Sequence, residues 1–223
     1  MYYVIILLLL ANPLWPQDVS GQSGETAEDK KAPDENAEPD EESAAEDGDE
    51  RDLPTTPWAL TLYGAFQSSE NIGWTLLPPT DLEAGHGLIA GALSRRMMTI
   101  LDRADVELEG QLVKHFGSGT GEINFTSIGR WIRFPWNDKL PTTIALGLGL
   151  SYATDIPAYE LITHGNETGK FLTYVLFEGT LSHPNMRHWE FVYRIHHRSG
   201  FFGLFGGVTG ASNAIGFGTK YRW

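Results

Sequence analysis

Between residues 57 and 223, large apolar side chains alternate with small or polar ones over segments of 10 to 14 residues, and clusters of turn-forming residues separate the segments. A period of two sends successive side chains to opposite faces, so each segment reads as a β-strand with one apolar face. The pattern predicts eight strands, at 57–67, 86–97, 104–115, 122–134, 142–155, 170–182, 188–199 and 212–223. In the fifth, Ile144, Leu146, Leu148, Leu150 and Tyr152 oppose Ala145, Gly147, Gly149, Ser151 and Ala153. In the third, Val106, Leu108 and Leu112 oppose Glu107, Glu109 and Gln111; in the seventh, Trp189, Phe191, Tyr193 and Ile195 oppose Glu190, Arg194 and Arg198.

Alternation alone does not say which face is inside. A soluble, lipocalin-like barrel encloses its apolar face, whereas a transmembrane barrel turns that face to lipid and pairs charges in a narrow lumen. Three features favour the membrane. No segment carries the charge-rich face that a water-exposed barrel needs. Aromatic residues gather near strand ends, at Trp58, Tyr63, Trp131, Phe134, Trp136, Trp189, Tyr221 and Trp223, as interfacial girdles do. The connections also alternate in length. Those at 101–103, 135–141 and 183–187 are short, while 68–85, 156–169 and 200–211 are longer and rich in Gly, Ser and Thr, with 116–121 a modest member of the long set. Short periplasmic turns and long outer loops belong to outer-membrane barrels. Trp223, with Tyr221 and Phe217 on its face, resembles the terminal signal by which such barrels are delivered for assembly. The expected fold is all-β: an eight-stranded antiparallel transmembrane β-barrel over residues 54–223, in the outer membrane of a Gram-negative bacterium.

Upstream, residues 2–10 form an apolar run bounded by Asn12, Pro13 and Pro16. It is shorter than the ~20 residues of a membrane-spanning helix but suits the core of a signal peptide, so 1–22 reads as a signal segment, with an uncleaved anchor as the alternative. Residues 18–52 hold 15 acidic and 3 basic side chains, and hence all but one of the 13 net negative charges. Such a stretch buries too little apolar surface to offset its ordering entropy, so 23–53 reads as a disordered, acidic periplasmic linker. The remainder is nearly neutral. Outer-membrane lipid is its expected surroundings, and no nucleic-acid partner is expected. The chain has no cysteine, which excludes disulfides and thiol chemistry.

The last two strands carry a candidate site. His197 and Ser199 lie two apart, so they share a face, with Cα atoms about 6.6 Å apart. Counting by two from Trp189 makes that face the apolar one, and counting back from Trp223 puts Asn213 on the same face of the last strand. All three then meet lipid at the outer-leaflet end. Polar groups there are costly unless they bond one another or a ligand. A serine beside a histidine, with a third group orienting the imidazole, is the arrangement for ester attack. The histidine pairs His196–His197 and His183/His188 lack a Cys, Asp or Glu companion at ligand spacing, so no metal or other cofactor is expected.

The stretch Tyr193-Arg-Ile-His-His-Arg-Ser199-Gly, followed by Ser212-Asn213-Ala-Ile and the terminal Gly-Thr-Lys-Tyr-Arg-Trp, resembles the closing strands of the PagL-type lipid A 3-O-deacylase (acyloxyacyl hydrolase) family. Gly110-Gln-Leu-Val-Lys-His-Phe116 and Gly147-Leu-Gly-Leu-Ser-Tyr152 fit it more loosely. The resemblance implies an enzyme removing the 3-O acyl chain of lipid A, the lipid part of lipopolysaccharide. In that role His197 is the general base, Ser199 the nucleophile and Asn213 the orienting residue. The backbone N–H groups of Gly200 and Gly203 would hold the oxyanion. The resemblance also allows a homodimer. Two positions depart from it: Asn213 stands where the family has a glutamate, and Gly200 where it commonly has Asn. The alternative is a non-catalytic barrel with a structural or lipid-binding role.

Overall fold

The computed structural model describes residues 57–69, 81–165, 167–201, 203–205 and 207–223. The expected signal segment and acidic linker lie outside the described residues. Eight antiparallel strands run in chain order: β1 (Trp58–Ser68), β2 (Leu82–Ile100), β3 (Ala104–His115), β4 (Gly121–Trp131), β5 (Thr142–Ala153), β6 (Phe171–Ser182), β7 (Trp189–Ser199) and β8 (Ala211–Arg222). Each pairs with the next, and β8 returns to β1 with Ala59 opposite Arg222 and Ser68 opposite Asn213, which closes the barrel. Closure leaves no unpaired sheet edge.

Where the strands depart from the expected spans, local chemistry explains it. The fourth strand stops at Trp131, not 134: Ile132 N–H still donates to Arg103 O (2.9 Å), and Phe134 O already accepts from Asn137 N–H (3.1 Å) in the turn that follows. Asn137 then organises the turn: its amide donates to Ile132 O (2.7 Å), and its Oδ1 accepts from Thr142 N–H (3.1 Å). The second strand is longer than expected, and bulges at Phe66/Gln67 and Arg96/Met98 absorb its extra residues. At its foot, Leu101 and Asp102 both have φ of +51°, and Arg103 N–H donates to Ile100 O (3.0 Å), the primed turn whose twist suits a hairpin. The connection 156–169 is not irregular throughout. It holds a short helix, α1 (Ala158–His164), opened by Pro157 at φ −57° and ended by Gly165 at φ +54°, whose N–H returns to Leu161 O.

Burial decides which face is inside. Arg130, Arg194, Arg198, Glu178 and Lys220 are at most 1% exposed, whereas Leu112, Leu146 and Phe125 on the opposite face are 66%, 63% and 59% exposed. The apolar face is the exterior, as a lipid-facing barrel requires. One aromatic assigned to the girdles belongs elsewhere: Tyr63 has the opposite parity to Leu62 and Gly64 and points into the lumen, 2% exposed.

The lumen is a continuous polar network. Glu178 accepts from Arg130 (2.7 Å), Arg194 (2.9 Å) and Lys220. Glu107 takes a two-pronged bond from Arg130 (2.8 and 3.0 Å), and Glu109 takes one from Arg194 (2.8 and 3.0 Å). Nearer the outer end, Tyr63 OH lies 3.0 Å from His196 Nδ1 and accepts from Gln111 (2.9 Å). Two-pronged pairs of this kind satisfy the planar guanidinium and carboxylate together, which offsets the cost of burying both charges.

Candidate active site on the outer wall

Register brings the candidate residues into one place. Across β7 and β8, Ile195 faces Ile215, His197 faces Asn213 and Ser199 faces Ala211. The alternation that sends Trp189, Phe191 and Tyr193 outward sends His197 and Ser199 the same way, and Phe217 likewise sets the parity of Asn213. His197 Nδ1 lies 2.6 Å from Asn213 Oδ1. An amide oxygen only accepts, so the imidazole proton is on Nδ1 and the Nε2 lone pair is left for a proton from elsewhere. His197 and Asn213 are buried, although they face outward, and Ser199 is half-buried. Among the described residues no hydrogen bond joins Ser199 to His197, so the structure couples His197 to Asn213 and leaves Ser199 beside them.

Two neighbours complete a polar band that the sequence reading missed. Thr173 on β6 faces Ser199 across the ladder, with Val175 opposite His197. Ser68 at the end of β1 faces Asn213. Both share the outward parity of apolar neighbours, Phe171 and Val175 for Thr173 and Phe66 for Ser68. Each was legible as a polar exception in an apolar stripe, but only pairing aligns Ser68, Asn213, His197, Ser199 and Thr173 across four strands.

The lumen holds the band from behind. Arg198, between His197 and Ser199, points inward and donates to Ser151 Oγ (2.8 Å) and to Glu160 of α1. Ser212, next to Asn213, donates to the same Glu160 carboxylate (2.8 Å), which also accepts from Thr168 (2.7 Å). One buried carboxylate on α1 therefore ties together the strand segments that carry His197, Ser199 and Asn213. His196, which lacked a carboxylate companion in the sequence, receives one from β4: Glu122 lies 2.9 Å from it and 2.7 Å from His115.

The 200–210 loop closes tightly. Gly200 N–H donates to Gly210 O (3.3 Å), and Gly200 O accepts from Phe205 N–H (3.4 Å). A Cβ at Gly200 would lie 1.8 Å from Val208 O, so no other residue fits there without moving the loop. The N–H expected to serve the oxyanion is thus engaged within the loop, and Gly203, at φ +84°, sits in its turn. Phe205 packs edge-on against the outward Phe171 (5.2 Å), so the loop leans on the outer face of β6. Lower on the wall, glycines at 64 and 91 floor a shallow apolar groove of about 540 Å³ between Leu62, Ile89, Leu112 and Phe217. The two arginines of β2 divide their partners: Arg96 lies 3.7 Å from Asp105, and Arg95 lies over the Trp58 ring (5.3 Å).

Comparison with family models and with curated protein sequences gives no match. Among solved structures, the chain is similar to the crystal structure of the outer membrane enzyme PagL, with a TM-score of 0.52, 12% identity, and 74% of this chain and 99% of that one covered. It is also similar to the outer membrane protein OprG from Pseudomonas aeruginosa, with a TM-score of 0.38, 12% identity, and 75% and 96% covered. The first likeness establishes the fold: this chain is a closed eight-stranded barrel of the outer-membrane kind.

Proposed function

We propose that this protein is an outer-membrane serine esterase of the PagL type, which removes the acyl chain ester-linked at the 3-O position of lipid A in the outer leaflet. The observation that carries the reading is the 2.6 Å bond between His197 and Asn213, made beside Ser199 on a wall that is otherwise apolar. A buried polar pair on the lipid side has no use in holding a barrel whose strands are already fully paired, and it lies where an ester of a membrane lipid would be. In the reaction His197 Nε2 takes the proton of Ser199 as the hydroxyl attacks the ester carbonyl, and Asn213 keeps the imidazole in the needed tautomer. An amide cannot stabilise the imidazolium by charge as a carboxylate does, so this site works more slowly than one with an acidic third residue. The groove over the glycines at 64 and 91 offers an acyl chain a bed along the wall.

The test is mass spectrometry of lipid A from cells making the protein, beside Ser199→Ala and His197→Ala. The expected result is loss of one 3-O acyl chain with the parent and at least a ~10³-fold lower rate with either variant. An unchanged acyl pattern with correctly inserted parent protein would sink the proposal. The engaged Gly200 N–H and the missing Ser199–His197 bond favour a second reading, a non-catalytic barrel that binds lipid at the same band.

A further inference from the structure

Thr173 is the member of the band with no structural use. It is 4% exposed, and its Oγ1 has no hydrogen-bond partner among the described residues. A buried hydroxyl left unpaired is destabilising, and Val would occupy the same β-branched space in a strand without that penalty. The hydroxyl stands across the ladder from Ser199, and directly opposed residues bring their Cβ atoms to about 4.5–5.5 Å. A group bonded to Ser199 Oγ therefore comes within reach of Thr173 Oγ1. Of the two N–H groups expected to serve the oxyanion, that of Gly200 is already engaged by Gly210 O (3.3 Å), so the reaction proposed above is short of a donor next to Ser199.

Resting on the serine-esterase reading, we infer that Thr173 is a catalytic residue whose hydroxyl donates to the oxyanion. As Ser199 Oγ bonds to the ester carbonyl carbon, its proton passes to His197 Nε2. The carbonyl π pair moves onto oxygen, where Thr173 O–H meets it. Collapse re-forms the C=O bond and breaks the bond to the sugar oxygen, which leaves with the proton from His197. Water then attacks the acyl-Ser199 ester through the same two proton transfers, releasing the fatty acid and restoring the serine.

The experiment uses the purified full chain in detergent and an alkyl fluorophosphonate. Serine displaces fluoride from this probe, and its phosphoryl oxygen occupies the oxyanion position. Parent, Ser199→Ala, Thr173→Val and Thr173→Ser are compared, with heat-modifiable electrophoretic mobility reporting folding of each. The expected result is labelling of the parent at Ser199, roughly 10²-fold slower labelling of Thr173→Val, and labelling of Thr173→Ser within a few-fold of the parent. On an ester substrate, Thr173→Val should lower kcat at unchanged KM. Folded Thr173→Val that labels as fast as the parent overturns the role of Thr173 and leaves the serine reading standing. A folded parent that does not label overturns both. Should Thr173→Val fail to fold, Thr173→Ala against Thr173→Ser makes the same comparison of hydroxyl absent and present.

Discussion

In the lumen, Glu178 receives hydrogen bonds from three cations; on the outer wall, the Thr173 hydroxyl has no partner among the described residues. Both groups are buried, both sit on strands in full register, and they are five residues apart on the same strand. The difference lies in what surrounds them. Inward positions on neighbouring strands supply opposite charge, so each lumen carboxylate finds a partner in the protein, although the inward hydroxyls of Thr61 and Thr126, like that of Thr173, have none among the described residues. Outward groups meet lipid on one side, and a polar atom there has only its neighbours in the band. Paired polar groups hold a structure together; an unpaired one is kept at a cost, and what sets Thr173 apart from unpaired hydroxyls in the lumen is its place opposite Ser199.

This contrast predicts that substitutions in the lumen change stability and substitutions in the band change rates. The largest effect on stability belongs to Glu178→Ala, which leaves Arg130, Arg194 and Lys220 short of their shared acceptor. Removing one partner of a buried ion pair costs about 3–5 kcal/mol, measurable as a lower urea midpoint for the barrel in lipid vesicles. A shift below about 1 kcal/mol would break the contrast from the lumen side. Asn213→Glu should behave in the opposite way. A carboxylate at that place stabilises the imidazolium, so lipid A hydrolysis should rise tenfold or more, toward the ~10⁴ that separates Asp from Asn in the serine-protease triad. The unfolding midpoint should move by no more than about 1 kcal/mol, the worth of one hydrogen bond. Equal rates for parent and variant would detach Asn213 from the chemistry. The smallest effect is expected where neither environment applies. Lys170 and Asp155 lie 3.3 Å apart in exposed loops, and Lys170→Ala should leave both the urea midpoint and the acyl pattern of lipid A unchanged.

Much of the barrel was legible because its signal is local. The alternation in Ile144 to Tyr152 already separates the two faces, and the charge on the opposite faces of β3 and β7 already points to a polar lumen. Elements missed in the sequence depend on contacts that are distant along the chain. The helix α1 forms in a stretch whose Pro157, Gly165, Gly169 and threonines read as loop, and its Glu160 is held by Arg198 and Ser212, 38 and 52 residues further on. The chemistry of Tyr63 suits a girdle, but its parity sends it inward, to partners on β3 and β7. Of the candidate site, the residue types and the shared face of His197 and Ser199 could be read from spacing. That Asn213 faces His197 rather than a neighbour one step away could not.

The period of two is a property of each strand alone, so the sequence by itself determined eight strands, their apolar faces and the residue types on the outward side of the last two. Register is a property of pairs of strands, and a shift by one residue would turn every side chain of a strand to the other face. Only the closed barrel therefore decided that Asn213 stands against His197, that Ser68 and Thr173 join them, and that the Gly200 N–H is engaged by its own loop. The local pattern determines which residues can meet lipid; the hydrogen-bonded ladder determines which of them meet one another.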